Sequence, residues 1–350
     1  MVAGAALLAA AVICLGSGCS SLGYYMQAAS GHLGVVQSAR PVADALADPA
    51  TPEPLRQRLQ LSQRLRNFAV SELMLPDNNS YRRYADLQRD AVVWNVVAAP
   101  ALSLTLKTWC FPVMGCVGYR GYFDRAAADA QATQLKAEGW ELSVYGVPAY
   151  STLGFGNWMG GDPLLNTFIQ WPELDLARLV FHELAHQVAY AADDTTFNES
   201  FAVAVERLGA RRWLALHGTP ELRAQVQAAD GRREDFNALT QRYREQLQAL
   251  YDSPADDSAK TARKAALMAA LRSDYLALKT GPWAGFAGYD GWFARANNAS
   301  FGVLAAYNEL VPDFERLFEH QGSDFTRFYT MVRSLAAMPK ADRRARLAVP

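Results

Sequence analysis

From Pro54 to Leu73, apolar residues recur every three to four positions (Leu55, Leu59, Leu65, Phe68, Ala69), which predicts an amphipathic helix. A short helix and a turn are expected within residues 20–50, around Tyr24–Ala29. The pattern then shortens. Residues 91–98 (AVVWNVVA) form an apolar run, and in 101–109 (ALSLTLKTW) Leu102, Leu104 and Leu106 alternate with polar positions; both predict strands. Residues 118–123 read as a turn and strand, Asp124 to Glu138 as a helix, and 141–147 (ELSVYGV) as a further strand. A Gly-rich loop follows from Tyr150 to Asp162. Pro172 opens a helix expected to reach Ala192, since proline suits a first helical turn. After Asp193-Asp194-Thr195-Thr196 a second helix runs to Leu216, and His217-Gly218 ends it. The rest is helical, broken near Ser253-Pro254, and no internal repeat is visible. The fold class predicted is α+β and mostly helical: a small mixed sheet with central helices, then a helical C-terminal lobe. The segments expected are 1–18, 19–218 and 219–350.

Composition narrows the class. Of 350 residues, 51% are hydrophobic and 20% charged, so a substantial core can form and wholesale disorder is excluded. The net charge of −1 gives no polyelectrolyte signal, and no nucleic acid is expected as a partner. The basic run Arg343-Arg344-Ala345-Arg346 reads as a solvated helix end.

Met1 to Gly18 carries no charge and is almost wholly apolar or small, too short for a comfortable bilayer span but suited to a signal-peptide core. Gly16-Ser17-Gly18-Cys19 closes it, and small residues before a cysteine resemble a bacterial lipobox. That resemblance implies lipidation of Cys19, a membrane anchor, and a place in the cell envelope, at the outer membrane facing the periplasm. An ordinary cleaved signal peptide is the other reading. Export permits disulfides. Cys110 and Cys116 enclose Phe111-Pro112-Val113-Met114-Gly115, and a disulfide between them is preferred to two buried thiols.

The chemistry lies on the helix after Pro172, which contains His182-Glu183-Leu184-Ala185-His186. Residues four apart share a helix face, so both imidazoles can reach one ion, and Glu183 stands where it can take a proton from water there. Glu199, in Asn198-Glu199-Ser200-Phe201-Ala202, is the candidate third ligand. Glu206, about two turns on, is a rival ligand or an outer partner of a ligand. Tyr150, Tyr190 and Tyr307 are candidates to hydrogen-bond an oxyanion, and strand 141–147 is a candidate to pair with an extended substrate. His32, His217 and His320 stand isolated.

The HELAH–NESFA pair with a later glutamate resembles the gluzincin metallopeptidases, the aminopeptidase N family in particular. On that likeness His182, His186 and Glu199 hold one Zn²⁺ per chain, Glu183 is the general base, and the core is zincin-like. That family's Gly-Ala-Met-Glu-Asn motif is missing from this chain. Over most of its length, through Gly23-Tyr24-Tyr25, Tyr150-Ser151-Thr152-Leu153-Gly154 and Asn297-Asn298-Ala299, the chain is similar to bacterial lipoproteins described as zinc-dependent aminopeptidases. The resemblance implies a peptide substrate. A zinc endopeptidase and a non-catalytic, zinc-stabilised binding lipoprotein remain the alternatives.

Overall fold

The computed structural model describes residues 23–111, 115–149, 160–192 and 194–349. Cys19 with its leader, Tyr150 and most of the Gly-rich loop lie outside them. The first part of the chain comprises α1 (23–38), β1 (Arg40–Pro41), α2 (Val42–Ala47), α3 (Glu53–Ser71), β2 (Arg83–Ala85), β3 (Val93–Ala99), β4 (Trp109–Phe111), β5 (Gly115–Val117) and β6 (Arg120–Tyr122). Then follow α4 (Arg125–Ala137), β7 (Glu141–Val147), β8 (Leu164–Leu165), α5 (Asn166–Ile169), α6 (Glu173–Ala185) and α7 (Thr195–His217). The remainder is helical: α8 (Pro220–Asp252), α9 (Asp257–Thr280), α10 (Asp290–Arg295), α11 (Asn298–Asn308), α12 (Val311–His320), α13 (Phe325–Ala336) and α14 (Lys340–Ala348). The protein is α+β and mostly helical. Among the described residues no helix is long and apolar enough to cross a membrane.

β3 is the middle strand of an antiparallel sheet ordered β6-β3-β7. It reads as a continuous apolar run because both its faces are covered. Trp94, Val96 and Ala98 pack towards α4, together with Leu142 and Val144. Val97 and Ala99 point to the other face, towards Tyr145 and the α11 residues Ala299 and Val303. A second small sheet, β1-β2-β8, lies beside α2 and α3.

Residues 101–109 do not form the predicted strand. Ser103 N–H turns back to Pro100 O at 3.4 Å, and Lys107 N–H alone returns to β3, at Ala98 O (2.8 Å). The leucines that suggested alternation serve two cores instead. Leu102 and Leu104 pack into the cluster of α8–α10, and Leu106 lies against α11 at Gly302, where a Cβ would come within 2.3 Å of it. The chain then forms the β4–β5 hairpin, in which Cys110 faces Cys116 and the two are joined by a disulfide.

The largest core draws on both ends of the chain. It runs from Val35 to Leu347 and packs α3, α6 and α7 with α12–α14 through Phe68, Phe181, Phe201, Phe314 and Phe328. A second cluster belongs to α8–α10, with Leu104 and Phe301. The basic run near residue 343 is solvated only in part: Arg346 is exposed and Arg344 half-buried, but Arg343 is not in solvent. Arg343 is buried, because the apolar face of α14 docks on α13 and the Arg343 guanidinium donates to Leu335 O, Ala336 O and Met338 O. It also meets Asp194 at 2.8 Å, and Arg344 meets the same carboxylate at 2.5 Å. Asp194 is the N-cap of α7, accepting from Phe197 N–H. Thus α14 fastens the start of α7 to the rest of the body.

Candidate metal centre

α6 is buried along almost its whole length from Leu174 to Ala185, as a helix apolar on most sides must be. It stops at Ala185, short of the predicted Ala192. The Asn198 side chain accepts from Ala191 N–H (2.8 Å) and donates to Ala191 O (2.9 Å), which bends the chain towards α7. His186 is the C-cap and keeps helical dihedrals (φ −58°, ψ −21°), so its ring stays on the face of His182. α7 closes on α6 at Gly209, where a Cβ would lie 2.7 Å from the Phe181 ring and 2.6 Å from Leu73. That close approach brings Glu199 to the two histidines.

The three side chains converge. His182 Nε2 lies 3.2 Å from His186 Nε2 and 3.4 Å from Glu199 Oε2, and His186 Nε2 lies 3.7 Å from the same oxygen. Each residue is only 8% exposed. Tetrahedral coordination at 2.0–2.1 Å separates ligand atoms by about 3.3 Å, so this donor set fits a small divalent cation. Among the described residues it is the group of metal-binding side chains that could hold an ion. Glu206 Oε2 sits 3.0 Å from the opposite ring nitrogen, His182 Nδ1. It therefore holds the His182 ring from the side opposite Glu199.

The electrostatics point the same way. Burial works against a charge on His182, but hydrogen bonds to Glu199 and Glu206 outweigh it and hold its pKa well above the usual value. Burial pushes His186 down to about 4. Glu199 is lowered; burial opposes this, and His186, His182 and the Tyr307 hydroxyl overcome it. The site thus favours positive charge on His182 beside the ionised Glu199 carboxylate. Burial pushes Glu183 up to about 7, a value suited to proton transfer near neutrality.

A cleft of about 910 Å³ opens over the group, between α6 and α7 on one side and α8 on the other, and His182, Glu183, Glu206 and Tyr307 line it. The Tyr307 ring lies nearly parallel to that of His182, 6.3 Å away. Burial raises its hydroxyl pKa well above the usual value, so it remains a donor. Tyr190 lies in the turn after α6, and among the described residues it is not in the lining of this cleft. β7 is an edge strand, but its first half is occupied: Leu142 O accepts from Asn297, and Glu141 pairs with Lys264. Its last residue, Val147, opens onto the cleft. His32, His217 and His320 take no part; His217 stacks on Trp213 at 4.1 Å.

Four residues near the site carried no sequence signal that was used. Tyr119 and Tyr145 are half-buried near Glu199, and Tyr145 is hydrogen-bonded to Asn95, its cross-strand partner. The alternation of β7 could have placed Tyr145 on the face opposite Leu142 and Val144. Arg207 and Arg233 line the cleft; Arg207 stands two turns beyond Glu199, a spacing that could have marked it.

A family model described as "Putative aminopeptidase" matches residues 23–347. Comparison with curated proteins and with solved structures finds no match. The match spans nearly all the described chain, which therefore belongs to that family.

Proposed function

We propose that this member of the family is a zinc-dependent peptidase, an aminopeptidase, which hydrolyses peptides in the cell envelope while anchored through a lipid on Cys19. The observation that carries the reading is the convergence of His182, His186 and Glu199 at 3.2–3.7 Å, with Glu183 beside them on the wall of a cleft. The family description supports peptidase activity. The HELAH–NESFA likeness to gluzincins supports zinc and a zincin-like core.

Zinc held there would polarise a carbonyl and make water a nucleophile near neutral pH. Glu183 accepts the proton of the attacking water and passes it to the leaving amine. Tyr307, kept neutral, donates a hydrogen bond to the oxygen on which charge develops. Glu206 fixes the ring of His182 through Nδ1. Val147, at the end of β7, lines the wall along which an extended peptide would lie.

The test is Glu183→Gln, measured on a peptide library together with elemental analysis of the same preparation. Hydrolysis should fall by about 10²–10⁴-fold, the contribution of a positioned general base. Zinc content should stay at one per chain. Undiminished hydrolysis would remove Glu183 from the reaction. A parent that holds zinc and cleaves no peptide would favour the binding-lipoprotein alternative.

A further inference from the structure

Three arginines and three acids line the cleft, and the arginines are not equally paired. Arg178, at its edge, is paired with Asp230 at 2.7 Å and lies 3.6 Å from Asp175. Arg207 and Arg233 differ. They stand on facing helices, α7 and α8, and both line the cleft. Among the described residues neither has a carboxylate within ion-pair distance. Arg207 donates to the neutral Asn308 side chain at 3.3 Å, and Arg233 meets the hydroxyl of Tyr289. Glu206, the acid nearest to Arg207 in sequence, is turned to His182. Burial lowers the pKa of Arg207; Glu315 and Glu206 oppose that, while Arg233 and Arg211 add to it. Two half-buried guanidinium groups therefore line one cleft from facing helices, neither of them ion-paired with a carboxylate. Guanidinium forks are matched to carboxylates.

Their position sets the reach. Arg207 follows Glu199 by two turns of α7, a rise of about 12 Å at 1.5 Å per residue. An extended peptide advances about 3.4 Å per residue. A carboxylate gripped there lies about two to four residues from a bond held at the metal group.

We propose that Arg207 and Arg233 form a carboxylate subsite, and that this cleft selects peptides bearing a carboxylate two to four residues from the scissile bond. The carboxylate is either the free C-terminus of a short peptide or an acidic side chain. The proposal rests on the peptidase reading for the scissile bond, but the charge pair can be tested apart from hydrolysis.

The experiment is calorimetric titration of the zinc-loaded full chain, with turnover of each peptide followed in parallel. Three tetrapeptides are used: one neutral with a free C-terminus, the same peptide amidated, and an amidated peptide with one glutamate. At least one carboxylate peptide should bind about 10-fold or more tighter than the neutral amide, the scale of a charge-assisted bidentate contact. The preference should shrink as salt rises. In Arg207→Gln and in Arg233→Gln the discrimination should fall below about threefold, with zinc content and thermal unfolding recording that each variant is folded. Should Arg207→Gln fail to fold, Arg233→Gln decides, because Arg233 is half-buried and forms no ion pair among the described residues. Preference for the free terminus alone, or for the glutamate alone, identifies the source and supports the subsite. Equal binding of all three peptides to the parent, or discrimination that survives in the variants, overturns it. Hydrolysis without carboxylate preference sinks the subsite and leaves the peptidase reading standing. Carboxylate-selective binding without hydrolysis does the reverse.

Discussion

Replacing Asp194 by asparagine isolates the contact through which α14 fixes the start of α7. Asparagine is a good helix N-cap, so the bond from Phe197 N–H is retained. The charge is lost, and with it the acidic partner of Arg343 and the nearer of two for Arg344, whose side chains are 5% and 25% exposed. Removing one member of a buried ion pair costs about 3–5 kcal/mol, because the other charge stays buried. Arg343 keeps three carbonyl acceptors, which places the expected loss near 3 kcal/mol. Urea unfolding at pH 7 reads this as a lowered midpoint at unchanged slope. The pH dependence has a defined sign. Burial opposes ionisation of Asp194, but Arg344 and Arg343 hold its pKa below the ordinary carboxylate value. Its contribution is therefore complete above about pH 4, the unfolded carboxylate range, and is lost as pH falls through the lower folded value. The gap between parent and Asp194→Asn should close in acid. Pairing Asp194→Asn with Arg343→Met should recover part of the loss, since the stranded charge is then gone. A penalty under about 1 kcal/mol, or one that is the same at pH 3 and pH 7, would refute the argument.

Other outcomes follow from the same geometry. Glu206→Gln should weaken zinc binding about 10–100-fold, while saturating zinc restores one ion per chain; complete loss there, with retention in Glu199→Ala, would exchange the two roles. Chelation should lower Tm, because an ion present at 1,000 times its Kd stabilises by about 4 kcal/mol, and an unchanged melting curve would mean that the group holds no metal. Gly209→Ala gains about 1 kcal/mol in helix propensity but forces a methyl against Phe181, so a net loss of about 1–2 kcal/mol is expected in urea, and a variant as stable as the parent would show that α6 and α7 can part without strain. Cys19→Ser should release the protein from the membrane fraction; a mature N-terminus elsewhere, found by mass spectrometry, would remove the lipid anchor.

The metal group was legible because its signal is local. His182 and His186 are one helical turn apart, and Glu199 lies just inside the next helix, so period and proximity sufficed. β3, α3, α4 and α8 were legible for the same reason. Residues 101–109 were not, because alternating leucines do not reveal whether their partner is a strand or helices more than a hundred positions further along the chain. The end of α6 was not legible, because Gln187 and Val188 turn back to Leu184 O and Ala185 O and the Asn198 side chain takes the backbone of Ala191, bonds that periodicity does not register. Arg343 was misread because burial of a charge depends on Asp194, far away in sequence. Tyr119 and Tyr145 surround Glu199 only after β7 is registered against β3.

One core joins Val35 to Leu347, and the metal ligands lie on the two helices at its centre. During synthesis, therefore, the ligand helices are complete long before the surfaces that hold them together exist. Contacts of such long sequence separation form late, after the loops between them have closed. The nascent chain offers a moving ribosome no finished ion-binding cage; the cage is assembled wherever residue 347 comes to rest. An ion that this group could hold would then be taken up only after α14 has docked.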